Sequence, residues 1–120
     1  EIYRRSDAFI FPSFREPSGS VIFESLRHSL PVITTDRGGP AYVVDDSCGI
    51  RVPARSPDDL SAHLAREIKQ LAGSPEKVAR LSAGARKRMQ TIGMWPKKIE
   101  WLSMLYQDVL SSQQIAEVKT

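Results

Sequence analysis

The sequence predicts an α/β domain, a Rossmann-like parallel sheet with flanking helices, followed by a helical C-terminal half. Three observations predict it. Ala8-Phe9-Ile10-Phe11, Val32-Ile33-Thr34-Thr35 and Gly49-Ile50-Arg51-Val52 are strand-length runs, and the first two lack the alternation of a half-exposed strand, as expected for strands buried on both faces. Helical patterning fills the gaps between the runs, so strand, helix, strand, short helix, strand is the order of a layered parallel domain. Beyond Pro53 the apolar residues recur only at helical spacing.

The bulk properties set outer limits. A chain of 120 residues is one domain at most, large enough for a real core. Its 41% hydrophobic and 26% charged residues are ordinary for a globular protein. No apolar run approaches the ~18 residues of a membrane span. The single cysteine, Cys48, excludes an intramolecular disulfide framework and reads as a buried free thiol. His28 and His63 have no carboxylate or thiol at ligand spacing, so no protein-held metal is expected. The chain starts at Glu1 and not at Met, and Glu1–Arg5 resembles the tail of a helix entered midway. The expectation is therefore the C-terminal piece of a longer protein. With no signal peptide ahead of the first strand the expected place is the cytoplasm.

The net charge of +3 is unevenly spread: Lys77, Arg80, Arg86, Lys87, Arg88, Lys97 and Lys98 face Glu76 alone. A solvated helix face is the simplest reading. The alternative is contact with an anionic surface, including a peripheral one at the inner face of a membrane. The run has no interleaved aromatics, so no nucleic-acid partner is expected.

Taken in order, the strand over 8–11 ends at Pro12-Ser13, and a loop to Ser18 follows. A helix from roughly Gly19 to Ser29 carries Val21, Ile22, Phe23, Leu26 and Leu30, apolar on more than one face, as in a helix wedged deep against a sheet. After the strand 32–35, Asp36-Arg37-Gly38-Gly39-Pro40 forms a second loop at the same kind of edge, with Pro40 in the first turn of a short helix to about Val44. Ser56-Pro57-Asp58-Asp59 is an N-cap serine, an N1 proline and two first-turn acids. It starts a helix to about Ala72 with Leu60, Leu64, Ile68 and Leu71 on one face. Gly73 stops it, and Ser74-Pro75-Glu76 repeats the start signal. Val78, Leu81, Ala85, Met89 and Ile92 then form one stripe ending near Gly93. A last helix over 95–112 carries Ile99, Leu102, Leu105, Tyr106 and Val109, and a polar tail over 113–120 is expected to fray. The unit is thus 1–112 plus a tail.

The chemistry concentrates between Phe11 and Glu24. Glu16 lies in the loop after the first strand, and Glu24 lies inside the apolar helix, with seven residues between them. Two glutamates at that spacing mean little alone. Their setting adds weight, because an unpaired carboxylate within an apolar helix is costly and wants a hydroxyl or amide partner. Ser18-Gly19-Ser20 reads either as a plain helix cap or as a phosphate turn. In the second reading Gly19 permits close backbone approach, and the N–H groups of the first turn accept an anion. Ser20 has no evident base and is not a nucleophile. No Walker loop, G-x-G-x-x-G or nucleophile elbow is present.

Phe11-Pro-Ser, Glu16-Pro-Ser-Gly19, Glu24-Ser, Leu30-Pro-Val-Ile, Thr35-Asp36 and Gly38-Gly39 fall in an order and spacing that resemble the C-terminal, donor-binding domain of the family 4 glycosyltransferases (glycosyl transferases group 1). That family has the two-domain GT-B fold. The resemblance covers about Ser6 to Tyr106 and is strict from Phe11 to Gly39. It implies retaining transfer of a sugar from a nucleotide donor to a glycan, lipopolysaccharide or glycolipid acceptor, with no cofactor and no obligatory metal.

The same resemblance assigns the site. Glu16 would take the donor sugar's hydroxyls and help to position the anomeric carbon. Backbone N–H groups from about Ser18 to Val21, over Ser18, Gly19, Ser20 and Val21, would take the diphosphate, Pro17 would belong to the same donor-binding stretch, and Glu24 would bind the ribose. Two departures stand out: family members often carry an aromatic in place of Ser18, and a glutamate soon after the double glycine where this chain has Pro40-Ala41-Tyr42. The resemblance further implies a missing N-terminal acceptor domain or a partner chain, to which the helix 95–112 would cross, and little activity from this chain alone. Readings from other classes stay open: a non-catalytic nucleotide-sugar-binding or assembly module, or another GT-B enzyme such as a nucleotide-sugar epimerase.

Overall fold

The computed structural model describes residues 1–117, with side chains described through Ser112. Its centre is a three-stranded parallel sheet in the order β1-β2-β3, with β1 at Phe9–Phe11, β2 at Val32–Thr35 and β3 at Gly49–Val52. Phe9 pairs with Val32 and Val32 with Gly49, so the strand starts are level. All the strands therefore release their loops at one edge, as the sequence predicts. Burial on both faces holds for β2, which is buried throughout, but β1 is only half-buried and β3 exposes Arg51. The central strand has a neighbour on each side and helices over both faces. The outer strands have a neighbour on one side only.

Helix α1 spans Ser20–Arg27, α2 Gly38–Val43, α3 Pro57–Ala72, α4 Pro75–Arg88 and α5 Trp95–Glu117. The N-cap serines of α3 and α4 behave as their sequence signals require. Ser56 accepts from the Asp59 N–H and Ser74 from the Lys77 N–H, each ahead of an N1 proline. The sheet separates two apolar clusters. Ile22, Leu26, Val32, Val43, Val44, Cys48 and Ala85 form one, with Met89 and Ile92 packed against it. Ile33, Val52, Ala54, Leu60, Leu71 and Leu81 form the other, with Leu64 and Val78 at its margin. The apolar stripe of α4 thus serves both faces: Leu81 goes to one and Ala85 to the other. Cys48 is buried and free, and burial pushes its thiol pKa up.

Several expectations need correction. Within Glu1–Arg5 the structure shows a short 3₁₀ turn, Ile2–Arg5, and not α-helical backbone. Helix α1 starts one residue later than expected and stops at Arg27, because Ser29 takes a left-handed conformation that only non-helical backbone adopts. The short helix runs from Gly38 to Val43 with Pro40 in its first turn, as expected. The helix expected to run unbroken to Gly93 changes at Met89 into a five-residue π-helical segment, Met89–Gly93. Helix α5 continues past Ser112 to Glu117; of the expected tail, residues 118–120 lie outside the described residues.

The basic run keeps a solvated face at Arg80, Arg86, Lys87, Lys97 and Lys98, whereas Arg88 is drawn into the packing. Arg88 donates to the carbonyls of Val43 (2.8 Å) and Tyr42 (3.0 Å) and pairs with Asp45 at 3.3 Å, so it caps the C-terminal end of α2. One turn earlier, a Cβ on Gly84 would stand 1.8 Å from the Ser47 carbonyl oxygen, so α4 lies directly on the turn before β3. Lys98 sits over the rings of Phe23 (4.9 Å) and Trp95 (5.6 Å). Helix α5 itself leaves Trp95, Ile99, Trp101, Leu105 and Tyr106 exposed, and among the described residues nothing covers them. No helix of the described chain is long and apolar enough to cross a membrane.

Candidate functional site

Where β1 and β2 end, two buried threonines hold the chain that leaves β1. Thr34 Oγ1 donates to the Phe11 carbonyl at 2.9 Å, and Thr35 Oγ1 donates to the Ser13 carbonyl at 2.7 Å. Both hydroxyls are fully buried and each has its acceptor, as burial requires. The loop therefore starts from a fixed point and reaches Glu16 three residues later.

The Glu16 side chain folds onto its own loop. Oε1 accepts from the Gly19 N–H at 2.8 Å and from the Ser18 N–H at 3.1 Å. These bonds, Gly19's first and Ser18's second, hold the Glu16 carboxyl below the usual glutamate range against a smaller opposing effect of burial. The group is ionised at neutral pH and accepts hydrogen bonds only. Gly19 makes the geometry possible by taking φ +65° at the N-cap of α1, a conformation glycine adopts without penalty. Ile22 N–H then closes onto the Gly19 carbonyl at 2.8 Å. Ser20 and Val21 N–H have no acceptor among the described residues, and they sit at the positive end of α1.

Glu24 is placed differently from the expectation. It is not a carboxylate sunk in an apolar helix; α1 buries Ile22, Ser25 and Leu26 and turns Glu24 outward. Its partner is an aromatic hydroxyl from the chain's start, Tyr3 Oη, which donates to Oε2 at 3.1 Å. The Tyr3 ring stacks on His28 and meets Phe9 edge-on. Burial, and then the bond to Glu24, raise the Tyr3 hydroxyl pKa. Glu24 follows Ser20 by four residues, so the two share one helix face about 6 Å apart along the axis. The structure therefore joins Glu16, Ser18 and Gly19 directly and puts Ser20 and Glu24 on one stripe. Pro17 is exposed beside them, and Val21 is half-buried.

Sequence reasoning did not assign a role to the second loop. Gly39 N–H donates to the Glu16 carbonyl at 2.9 Å. A Cβ on Gly38 would stand 2.5 Å from that same carbonyl oxygen, and one on Gly39 would stand 2.2 Å from the Pro17 carbonyl oxygen. The signal was the double glycine itself, but spacing along the chain does not say which backbone it approaches. Elsewhere, no group of three or more metal-ligating side chains occurs among the described residues. His63 instead pairs with Asp59 at 3.3 Å on α3.

Comparison with known proteins identifies the family. The D-inositol 3-phosphate glycosyltransferase of Streptomyces bingchenggensis is 32% identical over 109 residues, covering 90% of this chain and 23% of that protein. Sucrose synthase 2 of Arabidopsis thaliana is 29% identical over 110 residues, covering 88% of this chain and 14% of that one. The chain thus spans a quarter or less of these relatives' length. Among solved structures, sucrose-phosphate synthase from Thermosynechococcus elongatus superposes with a TM-score of 0.76 at 25% identity over 92% of this chain and 27% of that one. Anabaena HepE, solved in complex with UDP, shares the fold with a TM-score of 0.68 at 22% identity over 92% of this chain. The structural neighbours are GT-B glycosyltransferases. The family model for glycosyl transferases group 1 matches residues 1–88, and the chain belongs to that family.

Proposed function

We propose that the chain is the nucleotide-sugar-binding part of a retaining glycosyltransferase, the C-terminal portion of a family 4 enzyme acting on a glycan, lipopolysaccharide or glycolipid acceptor. The observation that carries the reading is the loop at the end of β1: an ionised Glu16 anchored on the Ser18 and Gly19 amides, beside the free Ser20 and Val21 N–H groups of α1. Membership of the family and the names of the relatives support sugar transfer.

In this reading the diphosphate meets the start of α1, where free N–H groups and the helix dipole offset its charge as the glycosidic bond breaks, with no obligatory metal. The ionised Glu16 accepts from hydroxyls of the donor sugar and orients its anomeric carbon. Glu24, on the same face as Ser20, takes the ribose hydroxyls, and Tyr3 holds it in place beforehand. The acceptor is then supplied by another domain or a partner chain against the exposed side of this loop.

The test is calorimetry with UDP, GDP and ADP, followed by a sugar-release assay with their glucose conjugates. Saturable binding of one nucleoside diphosphate with little sugar release is expected. Failure of all three to bind contradicts the donor-site reading, and release at rates typical of whole glycosyltransferases contradicts the dependence on another domain.

A further inference from the structure

We propose that Gly38 and Gly39 are positioning residues for Glu16. Their missing side chains let the start of α2 lie against the Glu16–Ser18 backbone and fix the direction of the Glu16 carboxylate. The inference rests on the reading of Glu16 as the ligand of the donor sugar.

Two observations separate this role from that of an ordinary tight turn. A turn explains Gly38, whose φ of +60° favours glycine. It does not explain Gly39, which lies within α2 and is not among the positive-φ residues. The need for glycine at this position lies instead in a contact that alanine cannot make. That contact is the loop. A Cβ on Gly39 would stand 2.2 Å from the Pro17 carbonyl oxygen and 2.8 Å from Ser18 Cα. Both are backbone atoms, which cannot rotate aside as a side chain can.

The Glu16 residue is consequently held at both ends. Its carbonyl accepts from Gly39 N–H at 2.9 Å, while its carboxylate accepts from Ser18 and Gly19 N–H. Pro17 and Ser18 form the short link between these anchors, and they are the backbone that a Gly39 side chain would displace. Moving that link by about 1 Å breaks the registry between carboxylate and amides, and misplacement on that scale costs on the order of 10²-fold in reactions that depend on orientation.

The test is NMR on the labelled chain, with Gly39→Ala as the probe and Gly73→Ala as the control. Gly73 closes α3, and a Cβ there comes no nearer than 3.4 Å to its neighbours. In the parent and in Gly73→Ala the side-chain carboxyl of Glu16 titrates below the ordinary glutamate range, and the Ser18 and Gly19 amide shifts follow it. In folded Gly39→Ala that midpoint returns to the ordinary range and the amides cease to follow, a change that loss of stability alone does not produce. An unchanged Glu16 titration in folded Gly39→Ala overturns the proposal. Should Gly39→Ala fail to fold, the parent decides: through-bond coupling between Gly39 N–H and the Glu16 carbonyl, with slow exchange of that N–H, is expected, and fast exchange without coupling overturns it. UDP, GDP and ADP added to the same parent sample test the donor reading separately. Without shifts at Ser18–Val21 that reading fails, while the Glu16 titration still decides the role of the glycines.

Discussion

Gly19 N–H donates to the Glu16 carboxylate at 2.8 Å, so the first amides before α1 already hold an anion of the chain's own. In the proposed reading a donor's diphosphate would meet the Ser20 and Val21 N–H groups, while Ser18 and Gly19 stay engaged with Glu16.

Removal of the Glu16 side chain therefore has opposite effects on the two halves of the ligand. In Glu16→Ala the freed amides raise the affinity for a nucleoside diphosphate by a few-fold, whereas the extra affinity contributed by an attached sugar falls by about tenfold, the scale of one charge-assisted hydrogen bond. Calorimetry with UDP and UDP-glucose reads both. An equal loss for the two ligands contradicts the assignment of Glu16 to the sugar.

The pH dependence follows from the lowered Glu16 pKa. Because the folded value lies below the unfolded one, the stabilising contribution is fully present above the ordinary glutamate range and is lost as pH falls through the folded value. Acidification thus loosens this loop before the core, and the protection factors of the Ser18 and Gly19 amides, corrected for the intrinsic pH dependence of exchange, should fall ahead of global unfolding. Protection that stays constant until the whole chain unfolds is the contrary result.

Tyr3→Phe isolates the support of Glu24. The ring keeps its packing on His28 and Phe9, and the lost hydroxyl acts at the surface, so stability falls by no more than about 1 kcal/mol. Nucleotide affinity drops by roughly two- to fivefold, because Glu24 is no longer pre-oriented. Since the Tyr3 pKa is raised, its contribution is complete below the ordinary tyrosine range and disappears as pH rises through the folded value. A parallel titration of parent and variant, by calorimetry and thermal unfolding, checks both effects.

Gly84→Ala tests the packing beneath the site. The Ser47 carbonyl stands where the new methyl would go, and overpacking of this kind costs about 1–3 kcal/mol. Thermal unfolding should show that loss, and Gly73→Ala should remain near the parent.

The strands, the order of helices and the two capping serines were legible in the sequence because each rests on local chemistry: unbroken β-branched runs, or a serine ahead of proline. The place of Glu16 was legible too, since a loop after a buried strand of a parallel sheet emerges at one edge. The exposure of Glu24 was not, because adjacent apolar residues in α1 hid the fact that its outward face begins at that position. Neither was Tyr3, 21 residues away in sequence, whose contact depends on how the first turn folds back. The π-helical step over Met89–Gly93 was not legible either, because the apolar stripe of α4 runs into it without a break.

In the proposed reading the start of α1 and the Glu16 loop receive a nucleotide-sugar donor. The most direct measurement is a backbone NMR titration of the chain with UDP, GDP and ADP. Saturable shifts at Ser18, Gly19, Ser20 and Val21, joined by Glu24 and Tyr3, are expected with one of the three nucleotides. Absence of shifts there with all three, or shifts confined to the exposed face of α5, would contradict it.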